Sequence, residues 1–373
     1  MSVFFCWRGF DGGDMVIKTH HHRPADQQGS ALILALLIAA MVALISVRFA
    51  EAFLLQLNQV ESQDNTRLLS VYLSGAEQLA AQLLVADAQS NQAGNLDHYQ
   101  ESWAQSVPAL PTDHGWLQVR LTDAQSLFNL NNLSIKTAYS NDAGASLTVR
   151  LSPAQKQFVR LLQSFEDYPV SEADAVLMTE ALTDWIDKDD QTSGPGGAES
   201  LYYSTSFSSS AQGAQSLTDS VQAANQPLFD ISELYLIRHF TPDIVERLRP
   251  WVVVLPVPTA MNINTAPARL LATINQPDKL QPLQTADVQR LLEIRQQRVL
   301  GTTADFFALP QMLELVPDAE TSSGSTQAAL YSVNSDWFHL HSQVAVNESS
   351  TRWVSLLGRS EQHTRVWERH RAF

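Results

Sequence analysis

The sequence predicts an α+β protein in which a long N-terminal helix precedes a small antiparallel sheet, and a large helical insertion interrupts that sheet. Three observations support this prediction. Residues 31–47 contain no charge, proline or glycine, and helical patterning continues without proline or glycine until Gly75. Strand-like segments occur near residue 116 and again after residue 333, whereas apolar residues between them have helical spacing. The order strand, helices, strand indicates one sheet domain that contains the helices as an insertion.

The apolar run at residues 31–47 predicts a transmembrane helix, since about 17 to 25 apolar residues span a bilayer. A secretory signal peptide would end in a small-x-small cleavage site, which residues 46–48 match poorly, whereas a plain signal anchor remains open. Lys18, Arg23 and three histidines precede the run, and most acidic residues follow it. The positive-inside rule therefore places the N-terminus in the cytoplasm and the large domain outside. The histidines are interpreted as solvated residues and not as a metal site.

Composition limits the remaining functions. The chain has 373 residues, which leaves room for two domains beyond the helix, and its net charge is −15. This charge argues against binding to nucleic acid or to anionic membrane surfaces. The single cysteine, Cys6, precedes the apolar run, so a chain cleaved after it has neither a disulfide nor a cysteine-ligated metal.

The expected sheet begins at Trp116–Leu121, where apolar and polar residues alternate as in a half-buried strand. Ser126–Leu133 is interpreted as a second strand or turn paired closely with it. Asn129, Asn131 and Asn132 are expected to bond backbone groups in that turn.

Helices are expected in the middle of the chain. Ser152 is a suitable N-cap with Pro153 in the first helical position, and another helix begins after Ser171. Residues 204–222 are rich in Ser and Gln and predict a loop. Further helical patterns cover residues 230–237, 241–248, 266–274, 285–297 and 303–315. Strand composition returns at residues 333–346, 352–357 and 364–367.

One feature resembles a binding site: a set of acidic residues around a loop rich in glycine and proline. The acidic residues are Asp184, Asp187, Asp189, Asp190 and Glu199. Calcium takes about six to eight oxygen ligands, and such a loop can supply them. The spacing begins like an EF-hand, but Thr192 and Ala198 stand where that motif needs Gly and Glu. The residues alone leave open a cation site or a solvated acidic helix end.

No motif predicts an enzyme. The sequence has no nucleophile elbow, phosphate-binding loop, dinucleotide fingerprint or histidine-based zinc motif. Asp184 and Asp187 could be written as an acid/base pair, but solvation or a cation explains them better. His339 and His341 share one face of a strand without a third ligand, which favours an exposed sheet face.

The segments Ile263–Pro267 and Phe306–Pro310 resemble helix-hairpin-helix and SAM-like units, which often hold DNA phosphates. Arg290, Arg295 and Arg298 lie nearby, but acidic residues surround them. We therefore expect these segments to pack against protein and the chain to bind no nucleic acid.

The N-terminus resembles the leader of type IV pilins and type II secretion pseudopilins, because Gln27-Gln28-Gly29 directly precedes the apolar run. In that family a prepilin peptidase cuts after the glycine, which implies cleavage between Gly29 and Ser30. Residues 1–14 are unlike a leader, so Met15 is an alternative start to Met1. Leu34 occupies the fifth mature position, where most members have Glu, and the family associates this difference with its K minor pseudopilin.

Three further motifs are very similar to the type II secretion minor pseudopilin K family (general secretion pathway protein K). They are LTDWIDKDD with GAES-LYY, then AANQPLFDISELYLI, then MNINTAPARLL. Family members bind calcium through acidic residues of the first segment. By motif, the resemblance implies Asp187, Asp190 and Glu199 as the first choices of calcium ligand. Asp184 and Asp189 are the second choices.

The resemblance divides the chain into five parts. These are a leader (1–29), a transmembrane and pilin helix (30–115), the first part of a pilin-like sheet (116–135), a helical insertion (136–329) and the last part of the sheet (330–373). It implies a structural subunit at the tip of the secretion pseudopilus, in the inner membrane with its C-terminal domain in the periplasm. The implied partners are the I, J and H minor pseudopilins, the prepilin peptidase, the inner-membrane platform and the outer-membrane secretin.

Two other functions remain open from the residues. One is a minor pilin of a type IV pilus or uptake system. The other is a membrane-anchored periplasmic hydrolase or nucleic-acid binder. The exported substrates have no signature in the sequence.

Overall fold

The structure is a computed structural model that describes residues 28–90, 96–137, 144, 146–208, 222–316, 328–347, 349–360 and 363–372. The chain divides into two compact units, residues 1–64 and residues 65–373.

The first helix, α1, comprises Gln28–Ser90 and confirms the predicted long N-terminal helix. Within the first unit its large apolar side chains are exposed from Leu32 to Val60. One 18-residue window has a mean hydropathy of 2.8 and no buried residue. By length and composition this helix can cross a membrane.

The second unit contains short and long strands and nine shorter α-helices among its described residues. The strands are β1 (Leu110–Thr112), β2 (Gly115–Asp123), β3 (Phe128–Asn129), β4 (Val252–Val253), β5 (Met261–Asn262), β6 (Tyr331–Ser332), β7 (Trp337–Val346), β8 (Ser349–Arg359) and β9 (Thr364–Ala372). The helices are α2 (Leu147–Arg150), α3 (Pro153–Gln163), α4 (Glu172–Ile186), α5 (Ser200–Ser208), α6 (Pro242–Leu248), α7 (Ala268–Leu271), α8 (Thr285–Gln297), α9 (Thr303–Phe307) and α10 (Pro310–Leu315).

The sheet has five antiparallel strands in the order β1-β2-β7-β8-β9. Neighbouring strands β2 and β7 are separated in sequence by residues 124–336, which hold the helices. The predicted interruption of one sheet by a helical insertion is therefore confirmed.

The C-terminal part of α1 covers one face of this sheet. Ala76, Ala80 and Leu84 of the helix form one core with apolar residues of β2, β7 and β8. Trp103 closes this core, with its ring 5.1 Å from that of Phe338 in an edge-to-face arrangement. Alternation along the strands places their apolar residues on this face.

The helices have a separate, larger core. Ser152 caps α3 as predicted: its hydroxyl accepts the Gln155 N–H, and the Gln155 side chain accepts the Ser152 N–H at 2.7 Å. The apolar residues of α3 and α4 belong to the same core, and the two helices pack against each other. Phe158 of α3 stacks on Phe128 with ring centroids 5.5 Å apart.

The interpretation of Ser126–Leu133 as a partner of β2 is wrong. Its strand, β3, instead pairs in parallel with β4, so that Phe128 lies opposite Val252. The cause is packing: apolar residues of this segment join the core of the helical domain. The segment belongs with the helical insertion, and the sheet's own share of residues 116–135 ends at Asp123.

The asparagines of this segment do bond backbone groups, but most of those groups are far away in sequence. The Asn129 amide donates to the Val257 carbonyl at 2.8 Å, and the Asn132 amide donates to the Thr259 carbonyl at 2.8 Å. They attach the segment to residues 255–259. Asn129 also forms the predicted local bond, because its Oδ1 accepts the Asn131 N–H at 3.2 Å.

The helix predicted at residues 285–297 is confirmed as α8. The pattern at residues 303–315 divides into α9 and α10, because Pro310 has no N–H to continue the first helix. Residues 204–208 extend α5 where a loop was predicted, whereas residues 209–221 lie outside the described residues.

Candidate functional site

The acidic loop follows α4, which brings two of its carboxylates together. Ser171 is the N-cap residue of this helix, and its hydroxyl accepts the Asp174 N–H at 3.1 Å. Asp184 lies in the last turn, and Asp187 is the C-cap residue, whose N–H donates to the Thr183 carbonyl at 3.0 Å. Because residues three apart on a helix are neighbours, both carboxylates lie at the same end of α4.

The glycine-rich loop then returns the chain to α4. At Gly196 the approach is so close that a Cβ would lie 2.4 Å from the Leu177 Cα. The Gly196 N–H donates to Glu180 at 2.8 Å, and Arg150 donates to the other oxygen of Glu180 at 3.1 Å. This arrangement sets Glu199 against the end of α4, just before α5.

Asp184, Asp187 and Glu199 form one buried cluster. One carboxylate oxygen from each lies within 4.8 Å of the others. Asp184 accepts the Ser193 N–H at 2.9 Å, and burial raises its pKa to about 6. Burial also raises the pKa of Asp187. Three acids held this close away from water require protons or a cation.

Glu199 is the least satisfied of the three. Its side chain is 5% exposed, and neither carboxylate oxygen has a hydrogen-bond donor among the described residues. Burial, followed by the charges of Asp184, Asp187 and Asp190, raises its pKa to about 8; Lys136 opposes this. A buried carboxylate without donors is costly unless a cation or a proton occupies the site.

Lys136 is the basic group at this site. Its Nζ lies 2.5 Å from Asp187 Oδ2 and 3.4 Å from Asp189 Oδ2. The pKa of Lys136 is raised because these carboxylates outweigh the effect of burial. Sequence reasoning missed this residue, since nothing in the spacing connects position 136 to the loop fifty residues later.

The five predicted ligands divide into two groups. Asp184, Asp187 and Glu199 form the cluster, whereas Asp189 and Asp190 lie outside it and are exposed. Asp189 pairs with Lys136 and accepts the Gln191 N–H at 2.9 Å. Asp190 acts on the site at least through its charge, which helps to raise the pKa of Glu199.

The predicted leader lies almost wholly outside the described residues, with Met1, Met15, Cys6 and the three histidines. The cleavage pair Gly29–Ser30 and the fifth mature position, Leu34, lie in α1. The side chain of Leu34 is 59% exposed.

The remaining candidate residues from the sequence, two histidines and an arginine, contact other protein groups. His341 is exposed and its Nε2 lies 3.0 Å from Thr122 Oγ1, and the rings of His339 and His341 are 6.2 Å apart. Within the described ranges, no cluster of three potential metal ligands includes a histidine. Arg295 is used in packing, because it donates to the Ile263 carbonyl at 3.0 Å.

The donor set at the acidic loop fits a hard divalent cation. Calcium prefers carboxylate and carbonyl oxygens at about 2.3–2.6 Å. Oxygens less than 4.8 Å apart can therefore contact one such ion from different sides. The unsatisfied oxygens of Glu199 point to the same conclusion.

Known proteins resemble this chain over most of its length. It is 30% identical to the type II secretion system protein K of Pectobacterium carotovorum subsp. carotovorum, over 92% of this chain and 96% of that protein. It is 31% identical to protein K of Klebsiella pneumoniae, over 77% and 80%. The structure of the GspK-GspI-GspJ complex from the enterotoxigenic Escherichia coli type 2 secretion system includes a chain that matches with a TM-score of 0.67 and 25% identity, covering 84% of this chain and 99% of that one.

The inserted helical domain, the helix-covered sheet and an N-terminal helix that fits a membrane anchor by length and composition are the architecture of a pseudopilin. Family models described as type II secretion system (T2SS), protein K match residues 126–257 and residues 261–324. The chain belongs to the type II secretion system protein K family and is a minor pseudopilin of type II secretion. The family is a structural component of that system.

Proposed function

We propose that this minor pseudopilin forms the tip of the secretion pseudopilus and supports protein export across the outer membrane. The main supporting observation is the size of the domain between the neighbouring strands β2 and β7, residues 124–336. A domain of this bulk on a helical subunit would obstruct a further subunit above it. Leu34 supports the same position, since a subunit without a carboxylate there cannot pair with the N-terminal amine of a neighbour.

The proposed partners are the I and J minor pseudopilins, with the H type below them. The support is the structural match to a chain of the GspK-GspI-GspJ complex, which has the same fold over most of this chain. The inner-membrane platform and the outer-membrane secretin would contact the assembled fibre.

The proposed location is the inner membrane, with the sheet and the helical domain in the periplasm. In this topology α1 packs beside the helices of other pseudopilins in the bilayer. The prepilin peptidase would remove residues 1–29 and leave Ser30 as the first residue. N-terminal sequencing of the protein from inner membranes should find Ser30, whereas a start at Met1 or Met15 would refute the proposed processing.

Two measurements test the tip position. The full chain in detergent should form a complex with I and J together, at one copy each by native mass spectrometry. Gold-labelled antibody against the helical domain should mark one end of each pseudopilus in cells that overproduce the fibre. Label along the whole fibre, or no complex with either partner, would contradict the proposal.

We also propose that the acidic loop binds calcium through Asp184, Asp187 and Glu199, with Asp189 and Asp190 adding charge nearby. The observation that supports this is the pair of buried Glu199 oxygens that have no donor among the described residues. Binding to the folded state alone would stabilise the protein by mass action.

Calcium titration of the full chain by calorimetry tests the site. Glu199→Gln should remove one bound ion per chain, because the amide keeps the shape but lacks the charge. Asp190→Asn should weaken binding less, since this residue is exposed and outside the cluster. If Glu199→Gln and Asp187→Asn both bind calcium as the wild type does, the assignment is wrong.

A further inference from the structure

A second cluster of carboxylates lies where the end of α1 meets the sheet. Asp87 belongs to α1, and Asp97 and Glu101 lie in the segment before the short 3-10 helix Ser102–Ala104. One carboxylate oxygen from each of the three residues lies within 4.8 Å of the others. Asp87 and Asp97 are buried, with 7% and 0% of their surface exposed. The cluster is separate in sequence from the acidic loop at residues 184–199.

Arg359, at the end of β8, faces this cluster. Its guanidinium lies 3.3 Å from Asp87 Oδ2 and 2.5 Å from Asp97 Oδ2. One guanidinium carries a single positive charge, whereas the three carboxylates carry three negative charges when ionised. These four groups together therefore have a charge of −2, which one divalent cation would balance.

Asp97 has one oxygen that the protein does not satisfy. Its Oδ2 accepts the Ser335 N–H at 2.7 Å and the Arg359 guanidinium. Its Oδ1 is buried and has no hydrogen-bond donor among the described residues. Burial raises the pKa of Asp97 to about 7 against the opposing effect of Arg359. When Asp97 is ionised, its Oδ1 is therefore available to a cation.

Hydrogen bonds from neighbouring residues position the cluster. Ser335 also donates its hydroxyl to Asp123 at 2.7 Å, and Asn262 donates to the Asp97 carbonyl at 3.1 Å. Glu101 accepts the His98 N–H at 2.9 Å on one carboxylate oxygen. These bonds come from several elements, so the three carboxylates are presented together by the fold.

We infer that Asp87, Asp97 and Glu101 form a second binding site for a hard divalent cation of the size of Ca²⁺, with Asp97 Oδ1 as a ligand. Such an ion would balance the two negative charges that Arg359 does not compensate. It would also tie the end of α1 and residues 97–101 to the end of β8. The inference rests on this cluster and does not depend on calcium at the acidic loop.

The test counts bound Ca²⁺ on the full chain in detergent by equilibrium dialysis. Asp97→Asn should lose one ion per chain, because its carbonyl can still accept from Ser335 and Arg359 while its NH₂ replaces the unsatisfied oxygen. Glu101→Gln should lose the same ion and provides a second variant if the first does not fold. Asp113→Asn, an exposed acid, is the matched control and should bind as the wild type does.

Combination with Glu199→Gln separates the two sites. If both sites bind, the wild type holds one more ion than either single variant, and the double variant holds neither. If Asp97→Asn and Glu101→Gln, in folded form, both bind as many ions as the wild type, the second site does not exist. A proton on Asp97 would then be the occupant, and loss of an ion from Glu199→Gln alone would still support the acidic loop.

Discussion

Replacing Glu199 with glutamine should stabilise the cation-free protein and at the same time abolish its response to calcium at that site. Loss of an acidic metal ligand is usually expected to lower the stability of the folded protein. Here the carboxyl is buried beside Asp184 and Asp187 and has no donor among the described residues, so it opposes folding until a cation arrives. Glutamine has a similar shape and no charge.

The magnitude follows from the pKa of Glu199, which rises from 4.5 to about 8 on folding. At pH 7 the folded protein keeps this proton, whereas the unfolded chain has released it. A difference of one pKa unit corresponds to about 1.4 kcal/mol, so the ionised group costs at most about 3 kcal/mol at pH 7, and screening by solvent lowers this cost. A raised pKa gives stability below pH 4.5 that is lost progressively as the pH rises to about 8.

Calcium should reduce the difference in stability between the two proteins. An ion at 100 times its Kd adds about 2.7 kcal/mol to the wild type, which is about 4 °C in Tm for a folded unit of this size. The glutamine variant should gain nothing from that ion. The variant is thus the more stable protein in chelator, and its advantage narrows or disappears in calcium.

Thermal unfolding of the full chain in detergent, followed by circular dichroism, measures both effects. The difference in Tm between variant and wild type in chelator should be near zero at pH 4.5 and should increase to pH 8. Glu166→Gln, an exposed acid, is the control and should show neither effect. A variant that is less stable in chelator at pH 7.5, or one that keeps the full calcium shift, would refute the reasoning.

Three further predictions concern other parts of the chain. Gly29→Trp should block removal of the leader. If mass spectrometry finds that the variant has the same mature mass as the wild type, the leader assignment is wrong. Gly196→Ala should lower the free energy of unfolding by about 1–3 kcal/mol, because the new Cβ collides with the Leu177 backbone, and urea titration measures this loss. Arg359→Met should cost about 3–5 kcal/mol at pH 7.5 by the same titration, since it leaves Asp97 uncompensated; no loss would show that the pair is not needed.

Local patterns in the sequence predicted much of the fold. The N-caps at Ser152 and Ser171 each accept the N–H of the residue three positions later, and a sequence displays this spacing directly. The alternation in β2 likewise has a period of two that follows from strand geometry, and strand composition predicted β7. Elements of this kind could be predicted because their causes lie within one segment.

The pairing of Ser126–Leu133 could not be predicted in this way. Its strand β3 bonds to β4, more than a hundred residues away, through the pair Phe128 and Val252. Its asparagines bond carbonyls near residue 257. Asparagine is compatible with both a local turn and a distant bond, so its presence does not identify the partner.

The acidic loop was predictable in part. Asp184, Asp187 and Glu199 were among the predicted ligands, and the structure brings them together. The sequence analysis ranked the predicted ligands by their match to the family motif. In the structure, the residues that form the cluster are those that the glycine-rich loop turns inward. Exposure distinguishes Asp190 from Asp187, and exposure is a property of the folded chain alone.

Each of the two clusters places three carboxylates around one basic side chain. The two basic side chains differ in how freely they can move away when a cation binds. Lys136 is a flexible ammonium near Asp187, and its stem can swing away when an ion arrives. Arg359 also donates to the Ser335 carbonyl at 2.6 Å and lies 4.8 Å from the Phe338 ring, so it is held in place. We therefore expect calcium to displace Lys136 at the acidic loop, and an ion at the second cluster to bind beside Arg359 and use oxygens that the guanidinium does not reach. Lys136→Met should accordingly tighten calcium binding at the acidic loop, whereas Arg359→Met should remove a group that holds the second cluster together.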